Sequence, residues 1–398
     1  MGDRARRRPA LLAALVLAGL VAGLLGACGG GGADDFVRRS GAQLTVGGEP
    51  YRFVGFNLYD AAASDVYSCA PQYRLDDESL ATTLRDAKEK AGATVVRFWA
   101  YQTYTDGGRD FSGVDRFIAA AKAAGLRVLP VLEDGPGDCS TRSTRVALSQ
   151  VDEGHWYSSG YRSPLGSARL SYRDYARVMA QHYKDEPAIL GWMLVNEAET
   201  TERDAQGRSS LVSFAGDMAQ VVHEADPNHL VTLGSQSNGA PGASGSDFYD
   251  VYRQGGLDFT EVHDWNAYGS DTEAMPGAVD GLLPDPTTGT CARTDAPVAC
   301  SFAISRMLGK PIVVGESGIA ATDEAGRARR ARLLGAKLDA AFRDGASGYL
   351  IWQLQDSDDP LAVKVSGSDP LLPILKAAGA ESLAAGPPVE QPEEVDRS

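Results

Sequence analysis

Two apolar runs that each end in a glutamate decide the fold of this chain. They are Ile189-Leu190-Gly191-Trp192-Met193-Leu194-Val195-Asn196-Glu197 and Pro311-Ile312-Val313-Val314-Gly315-Glu316. An apolar run of this length without alternation predicts a strand that is buried on both faces of a parallel sheet. Each run places a carboxylate where the strand ends and a polar loop begins. Because catalytic residues of a (β/α)8 barrel lie at the C-terminal ends of its strands, we predict a site there that contains Glu197 and Glu316.

The rest of the chain alternates strand-like and helix-like segments, which predicts an α/β fold with a parallel sheet. The eight predicted strands are Tyr51–Asn57, Thr94–Trp99, Leu126–Leu132, Ile189–Glu197, Leu230–Leu233, Phe259–His263, Pro311–Glu316 and Gly348–Trp352. The predicted helices are Asp76–Lys90, Gly113–Ala124, Tyr172–Tyr183, Leu211–Ala225 and Ala325–Phe342. Eight strands over about 340 residues predict a single (β/α)8 TIM barrel. A doubly wound sheet is the alternative, but it would need a glycine-rich phosphate turn after the first strand, and this sequence has none there.

The N-terminus has the pattern of an export signal. The basic stretch Arg4–Arg8 precedes an apolar run of about 16 residues, which is short for a membrane-spanning helix. The run ends in Leu25-Gly26-Ala27-Cys28, which resembles a bacterial lipoprotein cleavage box. We therefore expect residues 1–27 to be removed, Cys28 to be lipidated and residues 28–35 to form a glycine-rich tether that anchors the protein outside the cell. An ordinary secretory signal cut nearby is the alternative.

The charge of the chain bears on its partners. The net charge is −15. The segment before Cys28 holds four arginines and one aspartate, a net +3, so the remainder carries −18. Such an acidic surface repels nucleic acid and anionic lipid, so we expect a neutral substrate, no nucleic-acid partner, membrane contact through the N-terminal lipid alone and a monomer. Residues 379–398 are rich in Ala, Gly, Pro and Glu and predict a disordered tail, which leaves 36–378 as the catalytic domain.

The remaining four cysteines are Cys69, Cys139, Cys291 and Cys300. An even number in an exported chain predicts disulfides, although four cysteines allow three pairings. Cys291 and Cys300 are close in sequence and are expected to close one loop, which leaves Cys69 and Cys139 to join two loops on the same face of the barrel. A zinc site is the alternative, but the sequence has no CxxC pair or HExxH motif, so we expect neither a metal nor a cofactor.

Two glutamates on different strands of one barrel suit retaining glycoside hydrolysis. One carboxylic acid protonates the leaving oxygen and the other carboxylate attacks the sugar carbon. This reaction predicts carboxyl groups about 5–5.5 Å apart, whereas inversion predicts about 6.5–9.5 Å. We also expect the negative charge of Glu316 to raise the pKa of Glu197, so that Glu197 holds a proton near neutral pH. The alternative is that both are surface glutamates just past strand ends.

Five segments of the chain resemble glycoside hydrolase family 5, and most of all its β-mannanase branch. They are Phe36–Gly41, Gly47–Tyr51, Phe53–Asn57, Tyr183–Ile189 and the following Trp192 to Glu197. The resemblance covers about Phe36 to Ala378 and implies a barrel that hydrolyses a neutral β-linked polysaccharide, as an endo-β-1,4-mannanase. A β-1,4-glucanase or an exo-acting β-glycosidase of the same family is the alternative enzyme. From another class, the chain could be a carbohydrate-binding lipoprotein whose catalysis has decayed.

The resemblance assigns roles to matching residues. Glu197 would be the acid/base and Glu316 the nucleophile, while Asn196 would hydrogen-bond the sugar 2-hydroxyl. Arg97 would hold the nucleophile ionised, with a purely structural salt bridge as the alternative. His263 would line the site, with a structural histidine as the alternative.

Aromatic residues complete the predicted site. Trp352 would stack under the sugar, since an aromatic ring matches the flat C–H face of a pyranose; a core tryptophan is the alternative. Weaker candidates for neighbouring subsites are Trp99, Tyr101, Trp156 and Tyr157.

Two departures from the family pattern stand out. The family commonly has His-x-Tyr on the sixth strand, with the tyrosine touching the nucleophile. Here His263-Asp264-Trp265 places a tryptophan there, and the next tyrosine is Tyr268, so Trp265 and Tyr268 are both candidates for that contact. The third strand ends in Glu133-Asp134, where many relatives carry histidine or tryptophan, and these are rival carboxylates.

Overall fold

The computed structural model describes residues 35–63, 68–69, 74–136, 152–236, 239–265 and 297–385. Among these residues we find no helix with both the length and the apolar character of a membrane span. The export signal, Cys28, Cys139, Tyr268 and Cys291 lie outside the described residues, so the predictions that concern them stay predictions.

The described elements form a barrel preceded by a small sheet. The strands are β1 (Arg38–Ser40), β2 (Gln43–Val46), β3 (Glu49–Pro50), β4 (Phe53–Asn57), β5 (Val95–Trp99), β6 (Arg127–Val131), β7 (Gly191–Met193), β8 (Leu230–Thr232), β9 (Thr260–Asp264), β10 (Ile312–Ser317) and β11 (Ala346–Ile351). The helices are α1 (Asp77–Ala91), α2 (Ser112–Ala123), α3 (Glu153–Ser158), α4 (Tyr172–Tyr183), α5 (Leu211–Ala225), α6 (Ser246–Tyr252), α7 (Pro297–Leu308), α8 (Glu324–Arg343) and α9 (Leu371–Ala385).

The eight-stranded sheet has the order β8-β7-β6-β5-β4-β11-β10-β9, and every recorded pair is parallel. Its strands are buried along nearly their whole length, as apolar strands covered on both faces must be. The predicted single (β/α)8 barrel is confirmed. The C-terminal ends of its strands therefore meet on one face.

Between β8 and β9 the barrel closes through individual hydrogen bonds in place of a strand ladder. The described residues show no strand ladder there. Instead, the Asp258 backbone N–H donates to Val231 O at 2.8 Å, and the Ser235 backbone N–H donates to Glu261 Oε2 at 2.7 Å. A side chain of β9 thus carries part of the closure.

Local signals set the helix ends that the sequence predicts. The Asp76 carboxylate accepts the Ser79 N–H at 2.7 Å at the start of α1, which satisfies one of the free donors of the first turn. Gly92 ends the same helix with φ of 66°, a left-handed conformation that favours glycine. The predicted helices Tyr172–Tyr183 and Leu211–Ala225 match α4 and α5 at both ends.

The structure corrects the predicted tail boundary at residue 378. Helix α9 continues to Ala385. Its last turns are rich in alanine, the best helix former, and this propensity outweighs the composition that predicted disorder. A Cβ on Gly379 would lie 3.0 Å from Val54 Cγ2, so α9 packs closely against β4 and belongs to the barrel. Residues 386–398 lie outside the described part of the chain.

Six further elements were not predicted from the sequence. Strands β1 to β3 form an antiparallel sheet of their own at the start of the domain. Helices α3, α6 and α7 lie between the predicted elements, where the sequence predicted no helix. Helices α3 and α6 have only six and seven residues, too few for a helical period to stand out in the sequence.

Candidate active site

The strand ends bring the two predicted glutamates into one site. One carboxylate oxygen of Glu197, one of Glu316 and a ring nitrogen of His263 all lie within 4.8 Å of one another. This distance bounds one pair of carboxylate oxygens, and the carboxyl separation of about 5–5.5 Å expected for retention stays a prediction. The structure therefore excludes the alternative that the glutamates are unrelated surface residues.

A β-bulge aims Glu316 into the site. The register of β10 against β9 shifts between Val314 and Glu316, so Gly315 is the extra residue. A Cβ on Gly315 would lie 1.9 Å from Glu261 Oε1. Only glycine fits here, because a buried carboxylate of the neighbouring strand occupies the space.

Two hydrogen-bond donors and a neighbouring cation surround the carboxylate of Glu316. Arg97 Nη1 donates to Oε1 at 2.7 Å, and Trp265 Nε1 donates to Oε2 at 3.0 Å. His263 Nδ1 is 3.5 Å from Oε2. Trp265 thus makes the contact for which it and Tyr268 were candidates. Burial raises the pKa of Glu316, while the positive charges of His263 and Arg97 act in the opposite direction.

Arg97 is fully buried and links three strands. Besides Glu316, Nη1 donates to Asn57 Oδ1 at 2.8 Å, and Nη2 donates to Asn196 Oδ1 at 2.6 Å. Asn57 Nδ2 in turn donates to Gly315 O at 2.9 Å, which ties the bulge to β4. Arg97 therefore contacts Glu316 as expected, and its catalytic role, against a purely structural salt bridge, stays a prediction. Asn57 was missed from the sequence.

Glu197 lies opposite His263 in a strained backbone conformation. Its φ is 48°, a region that costs a residue with a side chain about 1–3 kcal/mol and is typical of functional sites. Glu197 Oε1 is 2.7 Å from His263 Nδ1, and about a third of the glutamate side chain is exposed (32%). Burial raises the pKa of Glu197, but the hydrogen bond and charge of His263 outweigh it and lower the pKa overall. The expected rise is therefore wrong for the free site, because sequence reasoning did not place a cation beside Glu197.

His263 itself is enclosed by carboxylates. Its Nε2 is 2.9 Å from Glu261 Oε1, an ion-pair distance, although these atoms are not aligned as a hydrogen bond. Burial lowers the pKa of His263, but the negative charges of Glu316 and Glu261 and the bond to Glu197 raise it to about 10. At neutral pH these charges favour the imidazolium form of His263, with a proton on each ring nitrogen.

The rival carboxylates Glu133 and Asp134 occupy different environments. Glu133 is buried, and its Oε1 accepts the backbone N–H of Asp134 at 3.1 Å. Asp134 reaches the site, where Oδ1 is 3.3 Å from Asn196 Nδ2 and 3.5 Å from Tyr101 OH. Burial is the main cause that raises the pKa of Asp134 to about 7. Asp134 therefore orients the amide of Asn196, whose Oδ1 is held by Arg97.

Aromatic rings surround the carboxylates. Trp352 is half-buried, stacks on Tyr59 with centroids 5.3 Å apart at 7°, and meets Trp265 edge-on at 6.2 Å. Trp99 is also half-buried and stacks on Tyr101 at 5.0 Å. These rings can offer apolar area to a sugar face.

Three of the weaker subsite candidates are wrong. Tyr101, Trp156 and Tyr157 are buried and present no open face to a ligand. Trp156 and Tyr157 pack around Phe214 of α5, with centroids 5.6 and 5.0 Å away. They form the core beneath α3, which was not predicted, so their structural role was not visible from the sequence.

Cys69 and Cys300 are both disulfide-bonded. Their predicted partners, Cys139 and Cys291, lie outside the described residues. Which cysteine pairs with which therefore stays a prediction.

Comparisons with known proteins agree with this fold. A family model described as GH family 5 beta-mannosidase-like matches residues 169–356. Mannan endo-1,4-beta-mannosidase 3 of Arabidopsis thaliana is 25% identical, over 84% of this chain and 86% of the relative. Mannan endo-1,4-beta-mannosidase 1 of Oryza sativa subsp. japonica is 27% identical, over 88% of this chain and 85% of the relative.

Among solved structures, the endo-1,4-beta-mannanase from Rhizomucor miehei superposes with a TM-score of 0.64 at 16% identity. The superposition covers 88% of this chain and 99% of that one. At this identity the likeness supports the barrel fold alone. The family model, over residues 169–356, and the sequence relatives add the chemistry: this chain is similar to the glycoside hydrolases of family 5, in their β-mannanase branch.

Proposed function

We propose that this enzyme is a retaining endo-β-1,4-mannanase that works by double displacement. The observation that carries the proposal is the pair Glu197 and Glu316, with carboxylate oxygens within 4.8 Å in a single site. Mannan-specific names of the sequence relatives support the choice of substrate. Half-buried Trp99 and Trp352 offer apolar faces that suit a neutral polysaccharide.

In the first step, an oxygen of Glu316 forms a bond to the anomeric carbon. The glycosidic C–O bond breaks, and its electron pair goes to the leaving oxygen, which takes a proton from Glu197. Arg97 and Trp265 hold Glu316 by opposite oxygens and so orient it for attack. Arg97 and Asp134 hold the Asn196 amide where a sugar 2-hydroxyl would be bound.

In the second step, Glu197 removes a proton from water. The water oxygen forms a bond to the anomeric carbon, and the bond to Glu316 breaks, which regenerates the free carboxylate. The ionised Glu197 that His263 favours is the form required here. For the first step Glu197 must take up a proton, so we expect activity on polysaccharide to fall as pH rises through its lowered pKa.

Variants of the two glutamates test the mechanism. Glu316→Ala should abolish turnover of every substrate. Glu197→Ala should mainly slow substrates with poor leaving groups, because an activated aryl glycoside leaves without protonation. Azide should restore turnover of an aryl β-mannoside by Glu197→Ala and yield the β-mannosyl azide. Near-normal activity of Glu197→Ala on polysaccharide would show that Glu197 is not the acid.

Substrate class and stereochemistry need their own measurement. Reducing-sugar release from mannans, glucans and xylans separates mannanase from glucanase and from a protein without catalysis. Product sizes distinguish endo from exo cleavage. NMR of the first-formed product should show the β anomer; the α anomer would mean inversion.

We also propose that the mature protein is a monomeric lipoprotein, held at the outer side of the bacterial membrane by the lipid on Cys28. The support is the Leu25-Gly26-Ala27-Cys28 pattern after a short apolar run. An acidic barrel would then act on polysaccharide near the cell surface.

A further inference from the structure

A buried glutamate that the mechanism does not use lies directly behind the acid/base. Glu261 and His263 are two residues apart on β9, so both point to the same side of the strand. Both side chains are fully buried. They form a row with Glu197: Glu261 Oε1 is 2.9 Å from His263 Nε2, and His263 Nδ1 is 2.7 Å from Glu197 Oε1.

The surroundings are built to accept a carboxylate at position 261. The Ser235 backbone N–H donates to Glu261 Oε2 at 2.7 Å. Gly315 leaves the space that Glu261 Oε1 fills. A buried charge is costly unless it is paired, and within the described residues the ion pair that Glu261 makes is with His263.

Charged groups face His263 from four strands. Glu261 approaches from β9 itself, Glu197 from the end of β7 and Glu316 from β10. Arg97 of β5 is bound to Glu316 and opposes its charge. Three carboxylates and one guanidinium therefore surround the imidazole, and they leave a net negative environment that holds its second proton.

We propose that Glu261 is a positioning residue that keeps the proton shared by Glu197 and His263 on His263, and so sets the upper pH limit of the acid step. The inference rests on the proposed retaining mechanism. One proton shared by this pair can sit on either group. With the proton on His263, Glu197 is a carboxylate, which the second step needs. With the proton on Glu197, His263 is neutral, and Glu197 is the acid that the first step needs. The charge of Glu261 favours the proton on His263.

Glu261→Gln removes that charge and keeps an oxygen for the Ser235 N–H. Neutral His263 then becomes accessible, because the Gln amide can donate to Nε2 while Nδ1–H still donates to Glu197. We expect 15N NMR of labelled histidine to show the wild-type His263 as an imidazolium above pH 8. In Glu261→Gln, the midpoint of its titration should fall by at least about 1 pH unit.

Kinetics give a second, independent readout. On a β-1,4-manno-oligosaccharide, the alkaline limb of kcat/KM should move up by about 1 pH unit in Glu261→Gln, because the shared proton shifts to Glu197. On an activated aryl β-mannoside, the aryl group leaves without protonation. The alkaline limb of kcat/KM for this substrate should therefore not move. A purely structural role would affect both substrates alike.

Asp226→Asn is a matched control. Asp226 Oδ2 is 2.6 Å from His229 Nδ1 in another buried pair, at the opposite end of the barrel before β8. This variant should leave both pH profiles unchanged.

The inference is overturned if wild-type His263 is neutral below pH 7, a result that does not require any variant to fold. It is also overturned if Glu261→Gln leaves the titration or the alkaline limb unmoved, or moves that limb down. Absence of mannosidase activity in the wild type would refute the proposed function instead, and the NMR titration would still report on His263.

Discussion

The hydrogen bond from Trp265 to Glu316 allows a quantitative test of how the nucleophile is held. Trp265→Phe removes the Nε1–H that donates to Glu316 Oε2 at 3.0 Å. It keeps an aromatic ring edge-on to Trp352, 6.2 Å away, and against Gly318, where an added Cβ would lie 2.8 Å from the indole. The change therefore removes a donor while largely preserving the packing.

The free energy lost with this hydrogen bond follows from the charge of its acceptor, Glu316. A hydrogen bond to a charged group contributes about 1.5–3 kcal/mol, and we take about 2 kcal/mol because the indole is only half-buried. This loss would raise the pKa of Glu316 by about 1.5 units. At a pH below both values, the ionised fraction and hence kcat/KM should fall about 30-fold.

The assay is kcat/KM against pH on an activated aryl β-mannoside, whose acidic limb reports on the nucleophile alone. Trp265→Tyr is the control, since it restores a donor at the position where the family commonly has tyrosine. We expect its acidic limb near that of the wild type. The reasoning is refuted if Trp265→Phe shifts the limb by less than about 0.3 units, or if Trp265→Tyr is equally impaired.

Two further predictions concern Asp134 and Cys28. The pKa of Asp134 is raised to about 7, so the folded state should lose stability relative to the unfolded state as pH rises from about 4 to 7. Asp134→Asn removes this loss. By calorimetry, its free energy of unfolding should exceed that of the wild type by about 2 kcal/mol at pH 8, after a discount for partial exposure, and should be nearly equal at pH 4. A constant difference in stability between pH 4 and pH 8 would contradict titration of Asp134 as the cause. Cys28→Ala should release the protein from the membrane fraction and abolish labelling by a palmitate analogue; retention with full labelling would place the lipid elsewhere.

The sequence was a good guide wherever a strand is apolar and fully buried. All eight barrel strands were predicted close to their observed positions, because a parallel strand covered on both faces must be apolar. The glutamates at the ends of two such strands also came together, since parallel strands of one barrel end on one face. Periodicity was less informative for β1 to β3, which are short and partly exposed, and for the short helices α3 and α6.

Glu261, a site residue that we did not predict, has a recognisable pattern in the sequence. Glu261 is an ionisable residue in a buried strand, next to Val262 and two residues after Phe259, and it shares a face with His263. A charge in that position requires a partner inside the barrel. The pKa of Glu197 is lowered because His263 lies beside it, so this direction could not be derived from Glu197 and Glu316 alone.

The joint between β8 and β9 links catalysis to mechanical integrity. The bond between Ser235 and Glu261 carries part of the closure there, and the same carboxylate supports the imidazolium beside Glu197. A seam of this kind can open at a lower free energy than the ladder-bonded strands around it. Heat or denaturant would then displace Glu261 before the rest of the barrel unfolds. The enzyme would lose activity while its far-UV circular dichroism spectrum remained that of the native state.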